Sequence, residues 1–115
     1  MTLSNKTILI TGGGNGLGRE LVLHLLSKGN NVIAVDINEA ALQQTHQLAA
    51  KYSNSLATIP LDITNKEAID AAVIKSIKLF GSVDCIINNA GIIQPFTKIS
   101  DTDISVMKRV IDINF

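Results

Sequence analysis

Thr11-Gly12-Gly13-Gly14-Asn15-Gly16-Leu17-Gly18 is the stretch of this 115-residue chain best suited to chemistry. Glycines at that density allow positive φ and, lacking Cβ, let a second backbone or a ligand come close. Before it, Lys6-Thr7-Ile8-Leu9-Ile10 is apolar and β-branched, as a strand requires; after it, Arg19 to Lys28 carries Leu21, Val22, Leu25 and Leu26 at helical spacing. The local reading is a strand, a tight turn and a helix start. A helix N-terminus leaving such a turn offers free N–H groups and a partial positive charge to a phosphate. A nucleotide is the ligand that this chemistry selects, against the alternative of a turn that only joins strand to helix.

Spacing narrows the choice. The pattern T-G-x-x-x-G-x-G fits through Thr11, Gly12, Gly16 and Gly18, whereas G-x-G-x-x-G from Gly12 would need glycine where Leu17 stands. An NTPase phosphate loop would end in Gly-Lys-Ser/Thr, and here the order is Gly18-Arg19-Glu20. Asp36 closes the next apolar run, where a carboxylate can accept hydrogen bonds from both hydroxyls of an adenosine ribose and repel a 2′-phosphate. NAD is therefore favoured over NADP. Asn15 brings no positive charge to reverse this; Arg19 is the one residue that could, though its place directly after the motif reads as that of a solvated helix residue. Asp62 can accept from an adenine amino group while Ile63 packs on the ring. For both acids a turn or capping role is the competing reading. Asn88 and Asn89 carry amides that can hold neighbouring loops, and Gly91 lets the backbone pass a cofactor closely.

The elements that must position these residues alternate. Asn31 to Asp36 is a nearly all-apolar strand, the mark of a strand covered on both faces of a parallel sheet. Asn38 can cap a second helix with Ala41, Leu42, Thr45, Leu48 and Ala49 as its inner stripe. Leu56 to Asp62 is a third strand whose Pro60 suits a sheet edge. Thr64 with Glu67 has the form of a capping box for a third helix, carrying Ala68, Ile69, Ala72, Val73, Ile77 and Phe80 inward and stopping at Gly81. Val83 to Ile87 is the fourth strand. Ser100 opens a fourth helix with Ile104, Met107, Val110 and Ile111 on one face, still in progress at Phe115. This predicts a Rossmann-type, doubly wound α/β fold over residues 1–115, with strand order 3-2-1-4 and truncated after the fourth helix begins. Strands one and four then meet at the switch point, where such sheets bind ligands.

Composition excludes several classes. Ten basic and ten acidic residues cancel, and aromatic residues make up 3% of the chain, so nucleic-acid binding by charge or stacking is not expected. No apolar run approaches membrane-spanning length, and the first strand starts without a signal peptide. A cytoplasmic protein is the expectation. Cys85, the single cysteine, reads as a small core residue in a reducing compartment. His24 and His46 stand singly on predicted helices, with no ligand cluster at metal spacing, so no metal site is expected.

Taken together, Thr11-Gly12-x-x-x-Gly16-x-Gly18, Asp36, Asp62-Ile63, Asn88-Asn89-Ala90-Gly91 and Asn114 resemble the short-chain dehydrogenase/reductase family in order and spacing. The resemblance runs over the whole chain but reaches only the N-terminal part of that family's longer domain. It implies that Gly12, Gly16 and Gly18 shape a pyrophosphate loop, that Asp36 holds the adenine ribose, and that Asp62 with Ile63 holds the adenine. Asn88 to Gly91 would steady the sheet beside the cofactor. Asn15, Leu17 and Ile37 complete the candidate cofactor-binding set. Asn114 matches the asparagine of the family's catalytic tetrad, which helps to place a water in a proton relay. The implied activity is hydride transfer between a nicotinamide and an alcohol or carbonyl substrate, in a homo-oligomer.

The other tetrad members, a serine and a Tyr-x-x-x-Lys pair, should follow Asn114, and Tyr52 has Leu56 four residues on instead of lysine. This chain alone is accordingly expected to be inactive. The fourth strand is expected to be a bare edge and the fourth helix to lack a partner, so the chain should associate or dissolve poorly. Two other classes compete. One is a short dinucleotide-binding protein or sensor without turnover. The other is an adenosylmethionine-dependent methyltransferase, which would ordinarily open its glycine loop with an acid where Thr11 stands.

Overall fold

The computed structural model describes residues 4–14, 16–89 and 111–114. Strand β1 (Thr7–Thr11) is followed by helix α1 (Gly16–Ser27), β2 (Asn31–Asp36), α2 (Glu39–Leu48), β3 (Leu56–Pro60), α3 (Lys66–Phe80), β4 (Cys85–Asn88) and β5 (Ile111–Asn114). All neighbouring strands run parallel, in the order β3-β2-β1-β4-β5. The predicted order 3-2-1-4 is present, extended by one strand.

Alternation along β1 shows why both faces must be covered. Ile8 and Ile10 enter one apolar layer with Val22, Leu25 and Leu26 of α1 and Leu42 of α2. Leu9 enters the opposite layer with Ile69 and Val73 of α3. Successive side chains of a strand point to opposite faces, so an unbroken apolar strand needs helices on both. Cys85 is buried in the first of these layers.

Helix ends follow local chemistry. Asn38 caps α2, its Oδ1 accepting from the Ala41 N–H at 3.0 Å. Gly81 ends α3 at φ +88, and its N–H bonds the Ile77 carbonyl at 2.7 Å. Pro60 lies at the end of β3, an edge strand, as its missing N–H demands.

Four expectations are corrected. The cap of α3 is Asn65, whose Oδ1 accepts from the Ala68 N–H at 3.1 Å, because the Thr64 hydroxyl is drawn instead to Asp62 Oδ1 at 2.7 Å. Leu48 is not part of the inner stripe of α2 but 63% exposed, since that helix ends beside it. Ile111 belongs to β5 and not to a fourth helix: the β-branched alternation Ile111-Asp112-Ile113-Asn114 continues the sheet. Strand β4 is therefore no bare edge, since β5 pairs with it from Cys85↔Ile111 to Asn88↔Asn114. The remainder of the predicted fourth helix, Ser100 to Val110, and Phe115 lie outside the described residues. No helix among the described residues is long and apolar enough to cross a membrane.

Candidate cofactor site

The sheet register gathers the candidate residues on one rim. Thr11 stands opposite Val35 on one side and Asn88 on the other, and Asn88 stands opposite Asn114. Thr11, Asn88 and Asn114 thus form one row across three strands at their carboxyl ends. Asn15, Ala90 and Gly91 lie outside the described residues.

The junction between β1 and β4 is tied by side chains. Thr11, fully buried, donates from Oγ1 to Asn88 Oδ1 at 3.1 Å and accepts from the Asn89 N–H at 3.0 Å. Asn89 Nδ2 reaches the Gly12 carbonyl at 3.4 Å. These bonds hold the start of the glycine loop against the end of β4, as the amide chemistry of the two asparagines led one to expect.

The loop needs glycine for two separate reasons. Gly12 and Gly16 take positive φ, +69 and +59, which other residues adopt only with strain. Gly18 is in α1 with ordinary φ, yet a Cβ there would overlap the Gly12 carbonyl and stand 2.6 Å from Asn89 Nδ2. The loop therefore folds directly over the first turn of α1. The first N–H groups of that turn have no partner within the helix, as at any helix start, and Leu17 is 56% exposed beside them.

Gly13 and Gly14, which the spacing pattern treats as free positions, are also required. A Cβ on Gly13 would meet that of Ala34 at 2.8 Å, and one on Gly14 would meet Asp36 Oδ2 at 2.7 Å and the Ala41 Cβ at 2.8 Å. The signal was present as three consecutive glycines, but their cause is packing against β2 and α2.

Asp36 ends β2 half-buried. Its Oδ2 accepts from the Gly14 N–H and its Oδ1 from the Asn38 N–H, each at 3.0 Å. Each carboxylate oxygen keeps a further lone pair, so the group is oriented while still able to accept two hydroxyls. Ile37 beside it is 72% exposed. Arg19 is not the solvated residue expected. Its guanidinium bonds Thr45 of α2 and the Gly14 carbonyl. Sequence reasoning missed this pair, since Thr45 read only as one more inward position.

Asp62 is exposed, and its Oδ1 accepts both the hydroxyl and the N–H of Thr64, at 2.7 and 2.9 Å. Those two bonds, the hydroxyl first, hold its carboxyl below the ordinary value. The turn reading of Asp62 is therefore realised, with Oδ2 outside that turn. Ile63 lies in the layer under α3 with Leu9 and Val35. Leu9, Thr11, Val35, Leu61, Ile63 and Ile69 line a small apolar hollow on this rim. His24 and His46 are both exposed.

Comparison with known proteins agrees with this geometry. A family model described as short chain dehydrogenase matches residues 6–115. A 3beta-hydroxysteroid dehydrogenase from Eggerthella lenta is 34% identical over 97% of this chain, which spans 43% of that relative's length. A hydroxysteroid dehydrogenase from Escherichia coli superposes with TM-score 0.81 at 23% identity, over 96% of this chain and 54% of that one. NAD+-bound xylitol dehydrogenase superposes with TM-score 0.71 at 28% identity, over 77% of this chain and 34% of that one. The chain spans less than half the length of the curated relative.

Proposed function

Since the chain belongs to the short chain dehydrogenase family, we propose that it is the NAD-binding part of an oxidoreductase that interconverts an alcohol and a carbonyl. The observation that carries the cofactor reading is Asp36, held on both oxygens by the Gly14 and Asn38 amides. A carboxylate so fixed receives the two hydroxyls of an unphosphorylated ribose and opposes a 2′-phosphate by charge. NADP is the weaker ligand in this reading.

The donor set fits a dinucleotide. Gly12 and Gly16 supply the positive φ that the loop needs and Gly18 lets it close on α1; in this reading the first turn of α1, with Leu17, takes the pyrophosphate, and Asn15 is assigned to it by its place in the motif. Asp62 and Ile63 serve the adenine, Ile37 shields the ribose, and Asn88 and Asn89 flank the cofactor on the other side, with Ala90 and Gly91 assigned to it by their place in the motif. Bound there, the cofactor supplies hydride transfer at its nicotinamide. Asn114, in the same row as Asn88, is the candidate to hold a water in the proton relay. A tyrosine acid/base needs a nearby cation to lower its pKa, and residues 1–115 hold no Tyr-x-x-x-Lys pair. The chain by itself thus binds the cofactor without turning it over, as the N-terminal portion of a longer domain. The whole protein is read as a cytoplasmic homo-oligomer acting on a small molecule.

Calorimetric titration of the chain with NAD, NADP and adenosylmethionine tests this. NAD binding with NADP weaker is the expected result; preference for NADP or for adenosylmethionine overturns it. An NADH-forming assay with secondary alcohols should show no turnover by residues 1–115, and turnover would refute the assignment of the missing acid/base.

A further inference from the structure

The contacts of Arg19 and Thr45 point beyond the ribose carboxylate itself. Thr45 is fully buried on α2, and its Oγ1 lies 3.0 Å from the Gly13 carbonyl, 3.1 Å from that of Gly14 and 3.2 Å from that of Ala41. A mid-helix threonine serving only its own helix would bond the carbonyl four residues back. Here the two shorter approaches are to the glycine loop. The same hydroxyl oxygen accepts from Arg19 Nε at 3.0 Å, so its proton is left for those carbonyls. Arg19 Nη2 adds the Gly14 carbonyl, the Ala41 carbonyl at 3.1 Å and Gln44 Oε1 at 3.3 Å.

The Gly13 carbonyl and the Gly14 N–H belong to one planar peptide unit. Thr45 holds its oxygen end and Asp36 Oδ2 accepts from its nitrogen end at 3.0 Å. Neither glycine has a side chain to fix that plane, so Thr45 at its oxygen end sets the tilt of the unit and with it the direction in which the Gly14 N–H meets the carboxylate, whose other oxygen stays on the Asn38 N–H. Hydrogen bonds joined in series also strengthen one another, here from Arg19 through Thr45 and the peptide to Asp36.

Resting on the NAD reading above, we propose that Arg19 and Thr45 are positioning residues that orient the Gly13–Gly14 peptide, and through it Asp36, and so set the discrimination between an unphosphorylated and a 2′-phosphorylated adenosine ribose. Neither touches the ribose. They act by keeping the carboxylate where it accepts two hydroxyls and meets a phosphate head-on.

The test is the ratio of NADP to NAD dissociation constants, by calorimetry on the full chain, for Thr45→Val, Thr45→Ser and Arg19→Met, with thermal melting run alongside. Thr45→Val and Arg19→Met should each weaken NAD about tenfold, with NADP affected less because a tilted carboxylate no longer meets its phosphate head-on. The ratio then falls, and Thr45→Ser, which keeps the hydroxyl, should hold it at the wild-type value. A folded Thr45→Val or Arg19→Met with an unchanged ratio overturns the proposal, as does a Thr45→Ser that loses as much selectivity as Thr45→Val. Should Thr45→Val fail to fold, Arg19→Met at its half-exposed position decides. Failure of the underlying reading looks different: the wild-type chain would bind neither dinucleotide, or Asp36→Asn would leave the ratio untouched.

Discussion

The two ends of the parallel sheet solve the same problem in opposite ways. At the amino end, polar side chains close the backbone on itself. Asn30 accepts from the Lys6 N–H at 3.1 Å and donates to the Leu25 carbonyl at 2.9 Å. Asp84 accepts from the Thr7 N–H at 2.9 Å and from the Ser82 hydroxyl at 3.3 Å. Every one of these bonds ends in the protein. At the carboxyl end, Asp36 and Thr45 are just as firmly held, yet Leu17 and Ile37 stay exposed beside a helix start, whose first N–H groups have no partner within the helix itself. Tightly fixed polar groups therefore do not by themselves mark a site; what separates the carboxyl end is the exposed apolar side chains beside a helix start.

Substitutions at the two ends should separate along this line. The largest effect is expected for Gly18→Val. A Cβ there overlaps the Gly12 carbonyl, so the loop must lift off α1. We expect several kcal/mol of destabilisation, of the order seen for severe overpacking, with NAD binding lost in titration even below the melting point. Retention of both would show that the loop can move away without consequence.

Asp84→Ala comes next and should affect stability alone. It leaves the buried Thr7 N–H unpaired, at a cost of about 1–3 kcal/mol. Denaturant melts should show the loss while the NADP to NAD ratio stays at its wild-type value. A changed ratio would break the division between the two ends.

Asp36→Asn keeps the size of the side chain and removes the charge. NAD should weaken about tenfold and NADP should gain relative to it, as repulsion of the 2′-phosphate disappears. Equal losses for the two ligands would mean that Asp36 serves only the Gly14 and Asn38 amides. That outcome would make the rim resemble the amino end.

The smallest effect is expected at Asp62. Its carboxyl is held low, first by the Thr64 hydroxyl and then by the Thr64 N–H. A group with a depressed folded pKa adds stability above its unfolded value, and that stability is lost as pH falls through the folded one. Thr64→Val should raise the Asp62 pKa toward the ordinary carboxylate value in an NMR titration and flatten the stability loss at acid pH. An unmoved titration would remove Thr64 as the cause.

Much of this was legible in the residues. Alternating apolar strands and helices, Asn38 before α2, Gly81 after α3 and Pro60 on an edge are local statements, set by periodicity, capping and a missing N–H. Thr11, Asn88 and Asn89 could be placed on one rim because strand order determines which carboxyl ends meet. Where competing local signals overlapped, the reading went astray. Thr64 has the form of a cap, but Asp62 two residues earlier captures its hydroxyl. Ile111 continues a helical period and also begins a strand alternation, and only pairing with β4 chooses between them.

What the sequence alone determined is the alternation of elements, the two-sided burial of the strands and the strand-turn-helix form around the glycines, because each depends on residues near one another along the chain. What only tertiary structure decided is which groups lean on that turn. Gly13 abuts Ala34, Gly14 abuts Asp36, and Arg19 turns away from solvent toward Thr45. These contacts join residues about 20 to 30 positions apart, and they form because packing α1 and α2 on the same face of the sheet closes that distance.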